Sequence, residues 1–241
     1  MKAIILAAGR GSRMKSLTDE RPKCLVELRG RSLLSLQLDA LRSAGVTEIA
    51  IVTGYRRDML AEFADVEFHN PRWSETNMVG SLCAAREWLV EDDCIVSYSD
   101  IFYSPEIVSV LMQLDVPIGL SFDPNWRELW TDRFGDPLLD AETFRLSSDG
   151  YLEDIGQTPK TVEEVQGQYM GLLRFAPEGW AEFEAMLSEL TDEAADAIDM
   201  TSALRNVIAR GVVPIKAVPC LTTWGEVDNA EDLSLYQTAQ V

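Results

Sequence analysis

Long apolar runs are missing from this sequence of 241 residues. None approaches the roughly 18 residues that a membrane-spanning helix needs. The apolar run near the N-terminus, Ala3 to Ala8, has no signal-peptide cleavage site spaced behind it. We therefore expect a cytoplasmic protein without a membrane partner.

Residues that usually bind zinc are also scarce. His69 is the only histidine, and the four cysteines form no C-x-x-C pair. These counts disfavour a structural zinc site and a Cys–His catalytic pair, and they indicate buried, reduced thiols.

Basic residues are few, since 21 Lys and Arg face 40 Asp and Glu, for a net charge of −19. Such a surface repels nucleic acid, so we expect no nucleic-acid partner. The 46% hydrophobic and 25% charged content are those of an ordinary globular protein. An enzyme for anionic substrates would have to gather its few cations and carboxylate-bound Mg²⁺ at one site.

Strands and helices alternate along the first half of the chain. Apolar runs predict the strands Lys2 to Ala7, Glu48 to Thr53, Val66 to Phe68, Cys94 to Tyr98 and Ile118 to Phe122. Apolar periodicity predicts the helices Arg31 to Ala44, Arg56 to Ala64, Thr76 to Leu89 and Pro105 to Leu114. This alternation predicts an α/β fold with a Rossmann-like, doubly wound and mostly parallel sheet.

The second half is less regular. The segment Asn125 to Asp140 lacks clean periodicity and is predicted to form loops. The predicted elements that follow are Gln168 to Phe175 and Pro214 to Val218 as strands, and Trp180 to Leu190, Thr201 to Ala209 and Ala230 to Tyr236 as helices. With no linker visible, we expect one domain over residues 1–241. Its NTP-binding half covers about 1–120, and 121–241 holds a small acceptor-binding insert and a C-terminal metal motif.

The first strand runs into a loop rich in glycine and cations, Gly9 to Arg13. Glycine lets the main chain approach a phosphate closely. A dinucleotide fingerprint is disfavoured because Met14 stands in place of its third glycine, and the P-loop pattern is absent. The remaining interpretations are a plain surface turn, or a triphosphate site in which Arg13 and Lys23 are fixed cations.

This stretch, LAAGRGSRM followed by the pair Pro22-Lys23, resembles the signature of nucleotidyltransferases that activate sugar phosphates and small phosphorylated alcohols. The resemblance implies that Arg13 and Lys23 are catalytic. It also implies nucleotide-binding roles for Leu6, Ala8, Gly9, Gly11 and Ser12. The expected reaction joins two anions, so catalysis there is mostly positioning and charge neutralisation.

Mg²⁺ is the expected cofactor, held by carboxylates. Asp100 comes directly after a predicted parallel strand, where open α/β sheets bind ligands. Alternation along a strand would place Glu226 and Asp228 on one side as a second pair of ligands. Both segments are similar to metal positions of the family. The alternative is that each is an ordinary surface carboxylate, with Asp228 capping the helix that follows.

Base recognition is assigned by the same resemblance. The G-Y pair Gly54-Tyr55 and the segment from Thr76 to Ser81 look like nucleotide-pocket elements of members that use CTP. The implied nucleotide-binding residues are Gly54, Tyr55, Thr76, Asn77, Met78, Ser81 and Ser99. An ordinary place at a helix N-terminus is the alternative for Asn77.

The acceptor half carries the string E-L-W-x-x-R-F…P-L-x-D-A-E. It resembles the phosphocholine cytidylyltransferases, and still more those acting on phosphorylated glutamine. Carboxylates beside tryptophans suit a cationic amine, although two tryptophans four residues apart also suit a core. The candidate acceptor-binding residues are Trp126, Glu128, Trp130, Lys160, Gln168 and Tyr169.

Together these features predict a Mg²⁺-dependent cytidylyltransferase for capsule or cell-envelope decoration. Its partners would be CTP, or another NTP, and phosphocholine, a phosphonate or a phosphorylated amino acid such as phosphoglutamine; a homodimer is one expected assembly. One alternative is a sugar-1-phosphate nucleotidyltransferase, disfavoured because its G-T-A/G-G stretch is missing. A non-catalytic nucleotide sensor is another, disfavoured because both cations and the aspartates remain. An NAD-linked oxidoreductase is also disfavoured, because Thr53-Gly54 stands where such an enzyme has its ribose-binding acid.

Overall fold

A central sheet of seven strands organises the computed structural model, which describes residues 1–238. The strands of the chain are β1 (Lys2–Ala7), β2 (Glu27–Leu28), β3 (Arg31–Ser32), β4 (Glu48–Thr53), β5 (Val66–His69), β6 (Cys94–Tyr98), β7 (Ile101–Tyr103), β8 (Ile118–Asp123), β9 (Phe144–Leu146), β10 (Leu152–Ile155), β11 (Gln168–Phe175), β12 (Ile215–Pro219) and β13 (Trp224–Glu226). The helices are α1 (Leu33–Ser43), α2 (Met78–Cys83), α3 (Arg86–Glu91), α4 (Pro105–Met112), α5 (Trp126–Phe134), α6 (Pro177–Leu187), α7 (Asp192–Ala197), α8 (Met200–Arg210) and α9 (Ala230–Thr238).

The strand order in the central sheet is β12-β8-β11-β6-β1-β4-β5. Strand β11 runs antiparallel to its neighbours β6 and β8, and every other pair in this sheet is parallel. The predicted α/β fold with a mostly parallel, Rossmann-like sheet is confirmed. Three of the seven strands lie after residue 117, so both halves of the chain build one sheet.

Helices cover both faces of the sheet, as a doubly wound fold requires. Successive residues of β1 point to opposite faces, and Ile4 and Ile5 are each fully buried in a different core. Helices α1 and α4 pack on one face, and α2, α3, α6 and α8 pack on the other. Burial on both faces explains why β1, β4 and β6 are continuous apolar runs. Within residues 1–238, no helix is long and apolar enough to cross a bilayer.

Two predicted helices of the first half differ from the structure. The segment Arg56 to Ala64 contains only a short 3-10 turn, Arg57–Met59, because Arg56 adopts a left-handed conformation with φ of 51°. The predicted helix Thr76 to Leu89 is divided into α2 and α3. It also begins later than predicted, since the Asn77 backbone N–H donates to the Asp196 carbonyl 2.7 Å away.

The prediction of loops over Asn125 to Asp140 is wrong, because α5 and the 3-10 turn Pro137–Leu139 lie there. Trp126 and Trp130 stand one turn apart on α5, and both are buried. Trp130 packs against Trp224, which is distant in sequence. Tertiary packing therefore stabilises a helix whose own sequence shows little periodicity.

Candidate active site

The glycine-rich loop holds Lys23 in place. Gly11 has a φ of 67°, and a Cβ added there would lie 2.8 Å from Cβ of Lys23. Glycine is needed for both reasons, since it tolerates the left-handed region and leaves room for the lysine stem. The Thr18 hydroxyl donates to the Gly11 carbonyl at 3.0 Å and fixes the turn.

Lys23 lies between two carboxylates that are distant from it and from each other in sequence. Its Nζ is 2.7 Å from Oδ2 of Asp100 and 2.6 Å from Oδ1 of Asp228. Asp100 follows β6, and Glu226 ends β13, which pairs with β7 directly after Asp100. One carboxylate oxygen from each of Asp100, Glu226 and Asp228 lies within 4.8 Å of the others. The structure therefore brings together the three predicted metal ligands.

This cluster fits a divalent cation. Oδ1 of Asp100 is buried and has no hydrogen-bond partner among residues 1–238. Such an atom is costly to bury unless a ligand completes it. Carboxylate oxygens are the donors that Mg²⁺ and other hard cations prefer. The three side chains would hold the ion, with the remaining positions left to phosphate and water.

The pKa values of Glu226 and Asp228 are shifted in opposite directions. Burial raises the pKa of Glu226 to about 7, and the neighbouring Asp228 and Asp100 add to the effect. Burial would also raise the pKa of Asp228, but Lys23, Arg13 and Arg133 outweigh it and lower that pKa. The Lys23 pKa is raised by the same two aspartates despite its burial. Asp228 and Lys23 therefore form an ion pair, whereas Glu226 keeps its proton to a higher pH than an ordinary glutamate does.

Arg133, on α5, contacts the carboxylate of Glu226 and holds it in place. Its side chain is fully buried and lies 3.0 Å from Oε2 of Glu226 and 3.0 Å from Oδ1 of Asp232. Sequence reasoning placed this arginine in a loop and gave it no role. Its position in the R-F pair of the E-L-W-x-x-R-F string was the one sequence feature that drew attention to Arg133. That feature does not indicate which carboxylates the side chain contacts.

The turn after β13 corrects two details of the prediction. Strand alternation does not align Glu226 and Asp228, because β13 ends at Glu226. Asp228 is not the helix cap either, since the Asn229 side chain accepts from the N–H groups of Glu231 and Asp232. The Asp232 carboxylate accepts in return from the N–H of Asn229 at 3.2 Å, and also from the N–H of Asp228 at 2.9 Å. This reciprocal capping box fixes Asp228 at the cluster.

A nucleotide-sized cleft of about 290 Å³ opens beside Lys23. Most of the predicted nucleotide-binding residues line it, together with Arg13, Lys23 and Asp100. They are Leu6, Ala8, Gly9, Gly11, Ser12, Thr76, Asn77, Met78, Ser81 and Ser99. Trp73 and Tyr98 also line this cleft and were not predicted.

Gly54 and Tyr55 do not line this nucleotide cleft but support its loop. The Tyr55 N–H donates to the Ala8 carbonyl at 2.8 Å, and its hydroxyl donates to the Asp19 carbonyl at 2.6 Å. A Cβ at Gly54 would lie 2.5 Å from Cβ of Trp73. The G-Y pair is therefore needed for close packing behind the cleft.

A second cleft of about 240 Å³ lies on the other side of the carboxylates. It shares Arg13, Met78 and Tyr98 with the nucleotide cleft, and Glu226 and Asp228 also line it. Of the predicted acceptor residues, Trp130, Gln168 and Tyr169 lie here. The lining residues that sequence reasoning missed are Asp140, Glu142, Met170, Gly171, Asp199, Met200, Thr201 and Trp224.

This acceptor cleft is acidic. Burial raises the pKa of Glu142 and of Asp140, and Asp199 lies nearby on the same wall. Glu142 is half-buried and accepts a hydrogen bond from the Thr201 hydroxyl at 3.2 Å. Apart from Arg13 beside Asp228, no lysine or arginine of the described residues lines this cleft. The wall suits a positively charged group.

The other three predicted acceptor residues lie elsewhere. Trp126 is a core residue, and its indole N–H donates to the Val165 carbonyl at 3.2 Å. Glu128 is exposed on the outer side of α5, beside Arg127 and Thr131. Lys160 borders a separate groove with Thr143 and other residues. None of the three lines either cleft.

Comparisons with known proteins agree with this geometry. The MobA-like NTP transferase domain matches residues 3–116. The chain is 34% identical to the CTP:phosphoglutamine cytidylyltransferase of Campylobacter jejuni, over 98% of this chain and 98% of that protein. It is 37% identical to the choline-phosphate cytidylyltransferase of Streptococcus pneumoniae, over 37% of this chain and 41% of that protein.

The fold is shared with a solved structure, the inositol-1-phosphate CTP transferase from T. maritima. The TM-score is 0.75 at 18% identity, covering 98% of this chain and 93% of that one. The similarity to a cytidylyltransferase extends over 98% of this chain, and the domain match covers residues 3–116. The chain belongs to the same nucleotidyltransferase family as the Campylobacter jejuni enzyme, and its residues 3–116 match the MobA-like NTP transferase domain.

Proposed function

We propose that this chain transfers the cytidylyl group of CTP to a small phosphorylated acceptor that carries an ammonium group, with Mg²⁺ as cofactor. The observation that carries the proposal is that Lys23 contacts both Asp100, which lines the first cleft, and Asp228, which lines the second. A triphosphate in one cleft and an acceptor phosphate in the other would meet at these residues.

The chemical step needs positioning more than proton transfer. An acceptor phosphate oxygen attacks the α-phosphorus of CTP, the bond from that phosphorus to the β-phosphate oxygen breaks, and pyrophosphate leaves. The attacking oxygen is already ionised, so no general base is needed. Arg13 and the loop amides bind the β- and γ-phosphates, and Lys23 neutralises the charge that gathers at the α-phosphate. When bound, Mg²⁺ adds further charge neutralisation at the phosphate oxygens.

Two lines of support favour CTP as the nucleotide. The relative that matches this chain over its full length is a CTP enzyme by its name, and so is the choline-phosphate relative. In the wall of the nucleotide cleft the Asn77 amide has partners within the protein, since it accepts from the Met78 N–H and donates to the Ala197 carbonyl. The polar groups that this wall offers to a base edge are the hydroxyls of Thr76 and Ser81. These groups suit the polar edge of a pyrimidine.

The acceptor class follows from the charge of the second cleft. Glu142, Asp140 and Asp199 attract an ammonium group, and Trp130 offers an aromatic face beside them. The names of the relatives specify phosphoglutamine and choline phosphate, and phosphocholine bears a fixed positive charge. A neutral sugar would bring no positive charge to balance these carboxylates. The cytoplasmic location, the homodimer and the role in cell-envelope decoration stay predictions.

Pyrophosphate release tests the proposal directly. Purified protein is incubated with Mg²⁺, each of the four NTPs and a panel of acceptors: phosphocholine, aminoalkylphosphonates, phosphoglutamine and sugar 1-phosphates. We expect turnover with CTP and an ammonium-bearing acceptor. Preference for a sugar 1-phosphate would indicate the alternative enzyme class, and CTP binding without turnover would indicate a nucleotide sensor.

Lys23→Ala and Asp100→Ala are the variants that test the mechanism. Each is expected to lower turnover by about a thousandfold or more while the circular-dichroism spectrum stays native, since preorganised charge supplies most of this catalysis. Near-normal pyrophosphate release in either variant would contradict the assigned roles.

A further inference from the structure

Lys23 occupies the same carboxylate oxygens that a divalent cation needs. Its ammonium group bonds one oxygen of Asp100 and one of Asp228, at 2.7 and 2.6 Å. Its side chain is only 8% exposed, and that of Asp228 is 7% exposed. Because water is largely excluded, this ion pair is stronger than a surface pair and is not easily broken.

Two further carboxylate oxygens of the cluster also face protein cations, whereas Oδ1 of Asp100 has no hydrogen-bond partner among residues 1–238. Oδ2 of Asp228 is 3.0 Å from the guanidinium of Arg13, and Oε2 of Glu226 is 3.0 Å from that of Arg133. Three carboxylates therefore face three cations, and the cluster is close to neutral. A divalent cation entering alone would have to displace one of these charges.

The three cations differ in how readily they leave. Arg133 is fully buried and is held by Asp232 as well, so it stays. The Arg13 side chain is 69% exposed. Lys23 lies in the wall of the nucleotide cleft, with its flexible stem against Gly11. A triphosphate in that cleft offers oxygens to both Lys23 and Arg13, and so it frees the aspartates.

We propose that Lys23 is an internal counter-ion that keeps the carboxylate cluster from binding a divalent cation until a nucleoside triphosphate draws its ammonium group away. The proposal rests on the proposed function for the identity of the triphosphate. By reciprocity, the cation and the nucleotide each strengthen the binding of the other. A lysine needed for transfer thus also prevents the free protein from being saturated with metal.

The test measures the affinity of the nucleotide-free protein for Mn²⁺, with free Mn²⁺ followed by electron paramagnetic resonance at pH 8. Lys23→Met keeps the length of the side chain and removes its charge. We expect this variant to bind Mn²⁺ more tightly than the wild type by about tenfold or more, because two desolvated aspartates are left without their counter-ion. A Lys23→Met affinity equal to or weaker than that of the wild type would overturn the proposal.

Arg10→Met is the matched control, because Arg10 lies on the same loop but pairs with the exposed Asp19. It removes the same charge without touching the cluster, so its Mn²⁺ affinity should stay within about twofold of the wild type. If Arg10→Met tightens binding as much as Lys23→Met, the effect is one of net charge and the proposal fails. Lys23→Gln, which keeps a hydrogen-bond donor, is measured in place of Lys23→Met if the latter does not fold. None of these measurements requires turnover, so a failure of the proposed function would be seen separately in the pyrophosphate assay.

Discussion

The two clefts are built in different ways. The nucleotide cleft is lined largely by a few short stretches, residues 6–13, 73–81 and 98–100, in which the glycine-rich loop offers main chain and small side chains. The acceptor cleft is lined by the stretches 168–171 and 199–201 together with isolated residues from segments between residues 13 and 228. Several of these side chains are half-buried carboxylates, and others are aromatic rings.

This contrast indicates which cleft is more easily altered by amino-acid substitution. A main-chain surface offers the same N–H groups whatever the side chains are, so it suits the phosphates common to all NTPs. A surface of side chains changes with each substitution, so it suits the part of the reaction that differs between relatives.

The largest effect is expected at Arg133, where the acceptor side of the molecule supports the shared carboxylates. Arg133→Met removes the buried cation that neutralises half-buried Glu226 and buried Asp232, and should lower the free energy of unfolding by about 3–5 kcal/mol. Urea denaturation measures this loss. Arg127→Met, at an exposed position on the same helix, should change it by less than about 0.5 kcal/mol. Equal effects of the two substitutions would show that Arg133 does not support the site.

Gly11 tests whether the main chain is what matters in the nucleotide cleft. Gly11→Ala places a Cβ against Lys23 at a φ of 67°, and should lower kcat/KM by about a hundredfold through displacement of the lysine. In Gly9→Ala the new Cβ meets no atom of the described residues within 4 Å. We therefore expect Gly9→Ala to keep its stability and to lose only CTP affinity. An active Gly11→Ala enzyme would mean that the loop is not rigid.

Glu142 tests whether side chains alone set the acceptor preference. Glu142→Gln should raise the KM for the acceptor by about tenfold and leave the KM for CTP within about twofold, since one charge partner is lost. Glu128→Gln should change neither constant, because Glu128 lies outside the cleft. A parallel rise in both KM values would show that the two clefts are not separable.

The smallest effect concerns pH. Burial raises the pKa of Glu142 above the ordinary value of 4.5, so this side chain takes up its proton at a higher pH than an exposed glutamate does. As pH falls from neutral toward that raised pKa, the acceptor KM should rise by about a few-fold, and Glu142→Gln should lose this dependence. The same shift means that ionised Glu142 costs stability at neutral pH. Glu142→Gln should accordingly melt no earlier than the wild type, and a lower melting temperature would indicate a structural role instead.

The two clefts also differ in how much of each was predictable from sequence. The phosphate loop is a continuous motif, and Leu6 to Lys23 could be assigned by spacing and resemblance. Glu142 and Asp199 could not, because no local pattern distinguishes them among 40 acidic residues. Tyr55 was assigned to the pocket although its role is to hold the loop, since resemblance preserves position in a motif but not the direction of a side chain.

The secondary structure was predictable where apolar residues are continuous in sequence. The prediction failed where an element is stabilised by residues distant in sequence. Strands β1, β4 and β6 are continuous apolar runs, and each lies within its predicted bounds. Helix α5 was missed because Trp130 is stabilised by Trp224, nearly a hundred residues away. Arg133 was missed for the same reason, since its partners belong to the last strand and helix.

The distance along the chain between Lys23 and Asp228 has a consequence for protein synthesis. The two residues that touch at 2.6 Å are separated by 205 positions. A nascent chain exposes its glycine-rich loop long before Glu226 and Asp228 leave the ribosome, because more than two hundred residues lie between them. The carboxylate cluster is therefore complete only after all seven strands of the sheet have been translated, and a product truncated just before that point has the loop and Asp100 but lacks Glu226 and Asp228.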